Sequence, residues 1–324
     1  MRILSGVQPS GKLHIGNYLG AIRQFLSLQE DPGNDCYYFI ADLHAMTTVQ
    51  DGAALRENSL SLATDFLALG LDPARSVLYR QSDVPEVAEL TWMLSVVTPF
   101  ALLQRAHSYK DKVARGIAPS QGLFAYPVLM AADILIVRSD RVPVGKDQKQ
   151  HVEITRDIAT TFNQAYGTGL LKLPEPMILD DVAVVPGLDG QKMSKSYGNT
   201  LDIFAPEGEL KKKVMSIVTD STPVESPKPL SGALYELLNL FTPAAEWPAT
   251  ESRFRDGGTG YGELKKLLLG RLLDTFGAAR QRREDLAKDP GQVKEVLRDG
   301  CARARRVVSE VMADCRHACG LGWR

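Results

Sequence analysis

Very little in this chain points to an extracellular or membrane setting. Cysteine is scarce: Cys36, Cys301, Cys315 and Cys319 are the only four in 324 residues. They are too few for a disulfide framework, which fits a reducing compartment, and a cytoplasmic location is expected. Cys315 and Cys319 sit one helical turn apart with His317 between them and Cys301 upstream, but no second close-spaced pair completes a zinc pattern. Small residues buried on a helix are the expected role, and no tightly bound metal is expected. Long apolar runs are also missing. The longest, Pro127 to Val137, carries Asp133 at its middle and is too short to span a bilayer. The first six residues, Met1 to Gly6, are too short an apolar stretch for a secretory leader. Nor is there an excess of charge of either sign: 38 Lys and Arg against 39 Asp and Glu give a net charge of -1. A nucleic-acid partner is thus not announced globally and would need local basic patches.

What is present is a length suited to two domains, with 44% hydrophobic residues. Arg2–Val7, Cys36–Ala41 and Ser76–Arg80 read as short strands. Helical spacing separates them at Gly16–Leu28 and Ala53–Leu69, and returns at Pro85–Val97. Strand and helix in alternation predict a parallel α/β sheet covered on both faces, with ligands beyond the carboxyl ends of the strands. From about Phe204 the strand signal stops. Glu207–Val218, Ser231–Leu240, Gly262–Leu286 and Pro290–Ala318 read as helices, broken at Pro223–Pro229 and Gly257–Gly260. The expected plan is a catalytic α/β unit over residues 1–200 and a smaller all-helical unit over 201–324.

The first strand leads into Gly6-Val-Gln-Pro-Ser-Gly11-Lys12-Leu13-His14-Ile-Gly16-Asn17. This approaches the GxxxxGK[ST] phosphate loop but places Leu13 where that loop needs a hydroxyl for magnesium, so a P-loop ATPase is disfavoured. His14-Ile-Gly16-Asn17 at the mouth of a helix is a different device. Glycine lets the backbone approach a nucleotide, the helix start favours phosphate, and His14 can donate to a phosphoryl oxygen. A helix cap or a solvated loop residue is the plainer reading of His14. Far downstream, Lys192-Met193-Ser194-Lys195-Ser196 lies between Pro186–Gly190 and Tyr197–Asn199, turn-rich flanks that predict a mobile loop. Its lysines can close over a triphosphate and offset charge on departing pyrophosphate. A solvated lysine turn is the alternative. Asp133, within an apolar run, is costly unless it meets a donor. That donor is either an internal partner or the N–H of a ligand such as an indole.

Together these elements resemble the paired signatures of the class I aminoacyl-tRNA synthetase family, and the wider pattern is similar to its tryptophanyl-tRNA synthetases of bacterial type. The residues carrying the resemblance are Ser5–Gly11, Ile40–His44, Tyr126–Ile134 and Val142–His151, the last followed by Val152–Asp157. The resemblance implies a Rossmann-like catalytic domain, a helical anticodon-binding region and a homodimer. It implies that L-tryptophan is activated with ATP, carrying Mg2+, and transferred to tRNA(Trp). His14, Lys192 and Lys195 would be catalytic. Gln8, Pro9, Ser10, Gly16 and Asn17 match one part of the ATP site. Gly145, Lys146 and Asp147 match another, as do Met193, Ser194 and Ser196 in the lysine segment. Lys112, with Lys110, matches lysines near the triphosphate, and Val184 matches a backbone contact to adenine. Asp133 would accept the indole N–H, rejecting side chains that leave it unpaired. Met130, Val142 and Val144 would line the slot, Tyr126 and Gln148 would hold the amino group, and His44 belongs to the same site. Leu4 departs from the aromatic residue that many relatives place under the indole.

Candidate RNA contacts in the helical part are Lys211–Lys213, Arg280 with Arg282 and Arg283, and Arg303 with Arg305 and Arg306. Each is also readable as a solvated helix face. Three rivals stay open: a tyrosyl-tRNA synthetase, a non-catalytic paralogue that binds ATP or tryptophan, and a simpler nucleotidyltransferase.

Overall fold

A computed structural model describes residues 1–106, 120–145, 148–178 and 184–322. Five parallel strands, β1 (Arg2–Val7), β2 (Asp35–Ile40), β3 (Ser76–Arg80), β4 (Arg141–Val144) and β5 (Glu175–Ile178), form one sheet in the order β3-β2-β1-β4-β5. Arg2 pairs with Asp35, Cys36 with Ser76, Ile3 with Arg141 and Arg141 with Glu175. The chain order reverses between β1 and β4, so a crevice opens beyond their carboxyl ends, the place where such sheets bind ligands.

Alternation along the strands feeds two cores. Ile3, Tyr38, Ile40 and Leu78 face one side, with Leu62 and Phe66 of α2 (Gly52–Leu69). Leu4, Phe39, Tyr79, Val142 and Val144 face the other. They pack against α3 (Glu86–Ser95), α4 (Phe100–Gln104), α5 (Gln121–Ile136) and α6 (Lys149–Tyr166), while α1 (Arg23–Glu30) lies on the first side through Phe25.

The remaining helices are α7 (Glu207–Met215), α8 (Ala233–Phe241), α9 (Trp247–Arg255), α10 (Tyr261–Lys288) and α11 (Pro290–Ala318). Leu237, Leu264, Leu268 and Phe276 join the first core, continuous with the sheet. Helix α11 serves both cores. Val293 and Leu297 belong to the first, while Ala304, Val308, Val311 and Met312 belong to the second. It crosses from one face to the other over β3, where a Cβ on Gly300 would lie 1.8 Å from the Leu78 carbonyl oxygen. The edge strand is thereby covered, as exposed strand edges otherwise invite pairing.

Several sequence expectations shift. Gly16–Leu28 is not one regular helix: Ile15–Asn17 is α, Tyr18–Ile22 is π-helical, and α1 follows. The helix after Glu207 stops at Met215 instead of Val218, because the Val218 N–H turns to the Leu188 carbonyl at 2.8 Å. Helix α9 goes beyond the sequence expectation; Pro248 sits in its first turn, where its missing N–H costs nothing.

The basic clusters are solvated only in part: Lys211, Lys212 and Arg306 are exposed, while several of their neighbours are bonded within the fold. Arg280 donates to the carbonyls of Ile203 (2.5 Å) and Ala205 (2.6 Å), and Arg282 to that of Ala68 (2.8 Å). Arg283 meets Asp65 (2.5 Å) and Ser61 (3.0 Å), Arg303 the Pro73 carbonyl (2.6 Å), and Arg305 pairs with Glu86. Lys213 holds Asp202 at 3.2 Å. These side chains tie α7, α10 and α11 to neighbouring segments of the fold. Among the described residues no helix is long and apolar enough to cross a membrane.

Candidate active site

The loop after β1 begins with Gly6, where a Cβ would lie 2.3 Å from the Phe39 ring, so that ring closes down on the strand end. A tight turn follows, Ser10 N–H to Gln8 carbonyl at 2.9 Å, and Gly11 adopts φ +101°. His14 then enters the helix start. The Asn17 side chain accepts the His14 backbone N–H at 3.2 Å, and the Asn17 N–H returns to the His14 carbonyl at 2.9 Å. The expected cap therefore exists, but it runs through the His14 backbone and the Asn17 amide.

The His14 ring is left for other work. It is buried, its Nδ1 has no hydrogen-bond partner, and a Cβ on Gly16 would lie 3.0 Å from that atom. Burial first, and then the Lys195 charge, lower its pKa to about 4 against an opposing pull from Asp202. At neutral pH the ring is uncharged and offers one directed N–H and one acceptor.

The lysine segment lies directly against this loop. Ile15 N–H bonds the Leu201 carbonyl (2.9 Å) and Ile203 N–H bonds that of Leu13 (3.1 Å), stitching the two together. The Lys195 ammonium reaches the carbonyls of Ser10 (3.2 Å) and Gly11 (3.1 Å) and the Ser10 hydroxyl (3.3 Å). Desolvation lowers its pKa, while Asp202 and Asp65 act the other way. Met193 is buried, Lys192 is exposed, and the hydroxyls of Ser194 and Ser196 meet at 2.7 Å. The turn is ordered by Asn199, which reads in the sequence only as loop punctuation. Its side chain accepts from Ser194 N–H (2.8 Å) and donates to Asp189 (2.7 Å) and the Lys192 carbonyl (3.3 Å). Gly187 makes room for it, since a Cβ there would lie 2.2 Å from the Asn199 amide nitrogen.

Across the crevice, α5 carries Asp133, with Met130 and Tyr126 preceding it along the helix. Val142 and Val144 of β4 are buried in the core on this side of the sheet, and Leu4 joins them. Asp133 is 2% exposed. His44 Nε2 meets it at 3.0 Å, and the Gln81 amide donates to both its oxygens at 2.9 Å. Burial raises its pKa; the bonds from His44 and Gln81 oppose that. The internal partner admitted by the sequence therefore exists. A carboxylate has about four lone-pair directions, so such a group can still take a further donor. The Tyr126 hydroxyl and His151 Nε2 are 3.0 Å apart, and the Tyr126 ring stands edge-on to His44 with centroids 6.5 Å apart.

The structure thus brings His14, Ser10, Gly16, Asn17, Met193 and Lys195 into one group, and Asp133, His44 and Tyr126 into a second. Gln8 and Pro9 belong to the first loop. Gln148 is exposed at the start of α6, its N–H on the Gly145 carbonyl at 2.9 Å. Val184 is exposed. Lys110, Lys112, Lys146 and Asp147 lie outside the described residues. Sequence reasoning misses Gln81 altogether; its one cue is position, a polar residue directly after a strand's carboxyl end. Among the described residues no three His, Cys, Asp or Glu side chains gather as a metal site, and Cys301 donates to the Asp83 carbonyl at 3.1 Å.

Residues 1–266 match the family model described as tRNA synthetases class I (W and Y). A tryptophan--tRNA ligase of Fusobacterium nucleatum is 53% identical over 320 residues, covering 99% of this chain and 98% of the relative. That of Rhodopirellula baltica is 51% identical over 322 residues, covering 99% and 100%. The crystal structure of tryptophanyl-tRNA synthetase from Campylobacter jejuni complexed with ADP and tryptophan superposes with a TM-score of 0.93. It is 50% identical and covers 99% of this chain and all of its own.

Proposed function

Because this chain belongs to the class I tRNA synthetases that serve tryptophan and tyrosine, we propose that its two residue groups are the two halves of one aminoacylation site. The protein is a tryptophan--tRNA ligase: it activates L-tryptophan with ATP and passes it to tRNA(Trp). The tryptophan carboxylate attacks the α-phosphorus of ATP, an O–P bond forms, and pyrophosphate leaves. The carboxylate is already ionised at neutral pH, so the step needs positioning and charge stabilisation and no general base. A terminal ribose hydroxyl of the tRNA, the 2′-hydroxyl by family resemblance, then takes the aminoacyl group and AMP departs.

One observation carries the division of labour: the Lys195 ammonium seated on the carbonyls of Ser10 and Gly11, beside the buried His14 ring. Gln8, Pro9, Ser10, Gly16 and Asn17 receive the nucleotide together with Met193, Ser194 and Ser196; the Val184 backbone meets adenine, and by resemblance Gly145 and Lys146 belong to the same site and Asp147 binds the ribose hydroxyls. His14 donates to the phosphoryl oxygens. Lys192 and Lys195 balance the charge of departing pyrophosphate, and by family resemblance Lys112 serves the triphosphate. Magnesium arrives on the ATP phosphates, as ions bound through substrate commonly do. Asp133 takes the indole N–H between Met130, Val142 and Val144, with His44 behind it, and Tyr126 and Gln148 take the amino group. The helical part, residues 201–324, reads the anticodon, and the setting is the cytoplasm. Two copies pair, and the exposed aromatic side chain of Trp92 (72% exposed) is the one we assign to that interface.

The test is pyrophosphate exchange into ATP with each amino acid in turn. Exchange with tryptophan alone, lost in Asp133→Ala, is the expected result. Exchange with tyrosine, or tryptophan exchange unchanged in Asp133→Ala, would overturn the assignment of the slot.

A further inference from the structure

Gln81 follows β3 in a short 3-10 turn, Gln81–Asp83, and is 0% exposed. Its carbonyl oxygen accepts the backbone N–H groups of Leu43 (3.1 Å) and His44 (3.4 Å). Backbone N–H groups are donors only, so they fix which end of the amide faces them. The NH2 end must then face Asp133, and it reaches both carboxylate oxygens at 2.9 Å. The turn is itself held: Ser82 N–H and hydroxyl both donate to Asp42, at 3.0 and 2.5 Å, and Cys301 donates to the Asp83 carbonyl. Nothing about Gln81 is free to rotate.

We propose that Gln81 is a positioning residue for amino-acid selection, holding the Asp133 carboxylate in the plane and protonation state in which it accepts a substrate N–H. The inference rests on the reading that Asp133 meets the indole. Two donors, His44 from one side and the Gln81 amide from another, fix the carboxyl plane and favour its ionised form in a site where burial favours the neutral one. An ionised carboxylate is purely an acceptor, whereas a protonated one also donates and tolerates ligands with no N–H. Discrimination for the indole N–H therefore depends on Gln81, although Gln81 need not touch the substrate.

The experiment compares tryptophan with 3-benzothienylalanine, in which sulfur replaces the indole N–H, by pyrophosphate exchange. In Gln81→Met, similar in size but without hydrogen-bonding groups, KM for tryptophan should rise about tenfold or more, the usual worth of hydrogen bonds to a charged group. Its kcat and its KM for ATP should move less than about threefold, and the preference for tryptophan over the analogue should narrow by about tenfold. Gln81→Glu keeps the size and the acceptor for Leu43 and His44 but opposes Asp133 with a second carboxyl, and should raise KM for tryptophan further. If either variant binds tryptophan and discriminates as the parent does, the inference fails. It fails equally if kcat and KM for ATP collapse together with KM for tryptophan, since Gln81 would then be merely structural. The two readings separate cleanly. A parent enzyme indifferent to the analogue sinks the role of Asp133. A discriminating parent, with discrimination lost in Asp133→Asn but kept in Gln81→Met, sinks only the role of Gln81.

Discussion

The crossing of α11 over β3 can be tested with one methyl group. Gly300→Ala places a Cβ 1.8 Å from the Leu78 carbonyl oxygen and 2.6 Å from its carbonyl carbon. Heavy atoms in comfortable contact stand about 3.5 Å apart, so the helix or the strand must retreat by more than an ångström. The obstacle is backbone in a paired strand, not the end of a mobile side chain, so the strain is not easily relieved. Alanine has a compensating advantage, about 1 kcal/mol of helix propensity over glycine. Overpacking typically costs about 1–3 kcal/mol, and more against a rigid neighbour. The overlap should win, leaving a net loss of about 1–2 kcal/mol. Gly277, in α10, is the control: nothing lies within 4 Å of the point where its Cβ would stand, so Gly277→Ala should keep the propensity gain and stabilise by up to about 1 kcal/mol. Thermal unfolding followed by circular dichroism reads both, with melting shifts of about 1–2 °C per kcal/mol for a chain of this length. If the two alanines stabilise alike, α11 does not lie on Leu78 as described.

Two further expectations concern charge and assembly. His14 has a folded pKa of about 4 against 6.5 for the free side chain, so below pH 6.5 the unfolded chain takes up a proton that the folded chain refuses. This part of the stability is present above pH 6.5 and is lost progressively as pH falls toward 4. An NMR titration should find the His14 ring still neutral at about pH 5.5, and a midpoint near 6.5 would refute the burial argument. On the surface, Trp92→Glu should convert a dimer to monomers in sedimentation, with the wild type dimeric at micromolar concentration; a monomeric wild type, or a dimeric variant, would remove Trp92 from the interface.

How far the sequence can be read depends on the range of each interaction. β1, β3 and α11 announce themselves because their signals are local: apolar runs of strand length, and helical periodicity starting at Pro290. β4 and β5 do not read as strands, since Pro143 and Pro176 break the pattern, and only the pairing of Val142 with Pro176 and Pro143 with Met177 reveals them. The histidine and lysine segments are legible as motifs, yet their contact, Lys195 on Ser10 and Gly11, joins residues some 184 positions apart. Gln81 is silent for the same reason, as its value lies in Asp133, 52 positions away. The arginines of α10 and α11 show the converse. A charge pattern does not distinguish a guanidinium in water from one spent on a carbonyl, and the structure puts Arg280, Arg282 and Arg303 in the second state.

Helix α11 also has a consequence for how the protein is made. Synthesis runs from β1 onward, and domains generally begin to fold as they emerge. Here, however, the edge of β3 and part of each core wait for residues 290–318, and the turn holding Gln81 waits for Cys301. A nascent chain stopped short of α11 carries His14, Lys192, Lys195 and Asp133 but bares the Leu78 strand edge and the apolar surfaces beneath the missing helix. Such a fragment displays the apolar surface and unpaired strand edge that make incomplete chains prone to aggregate and dependent on chaperones.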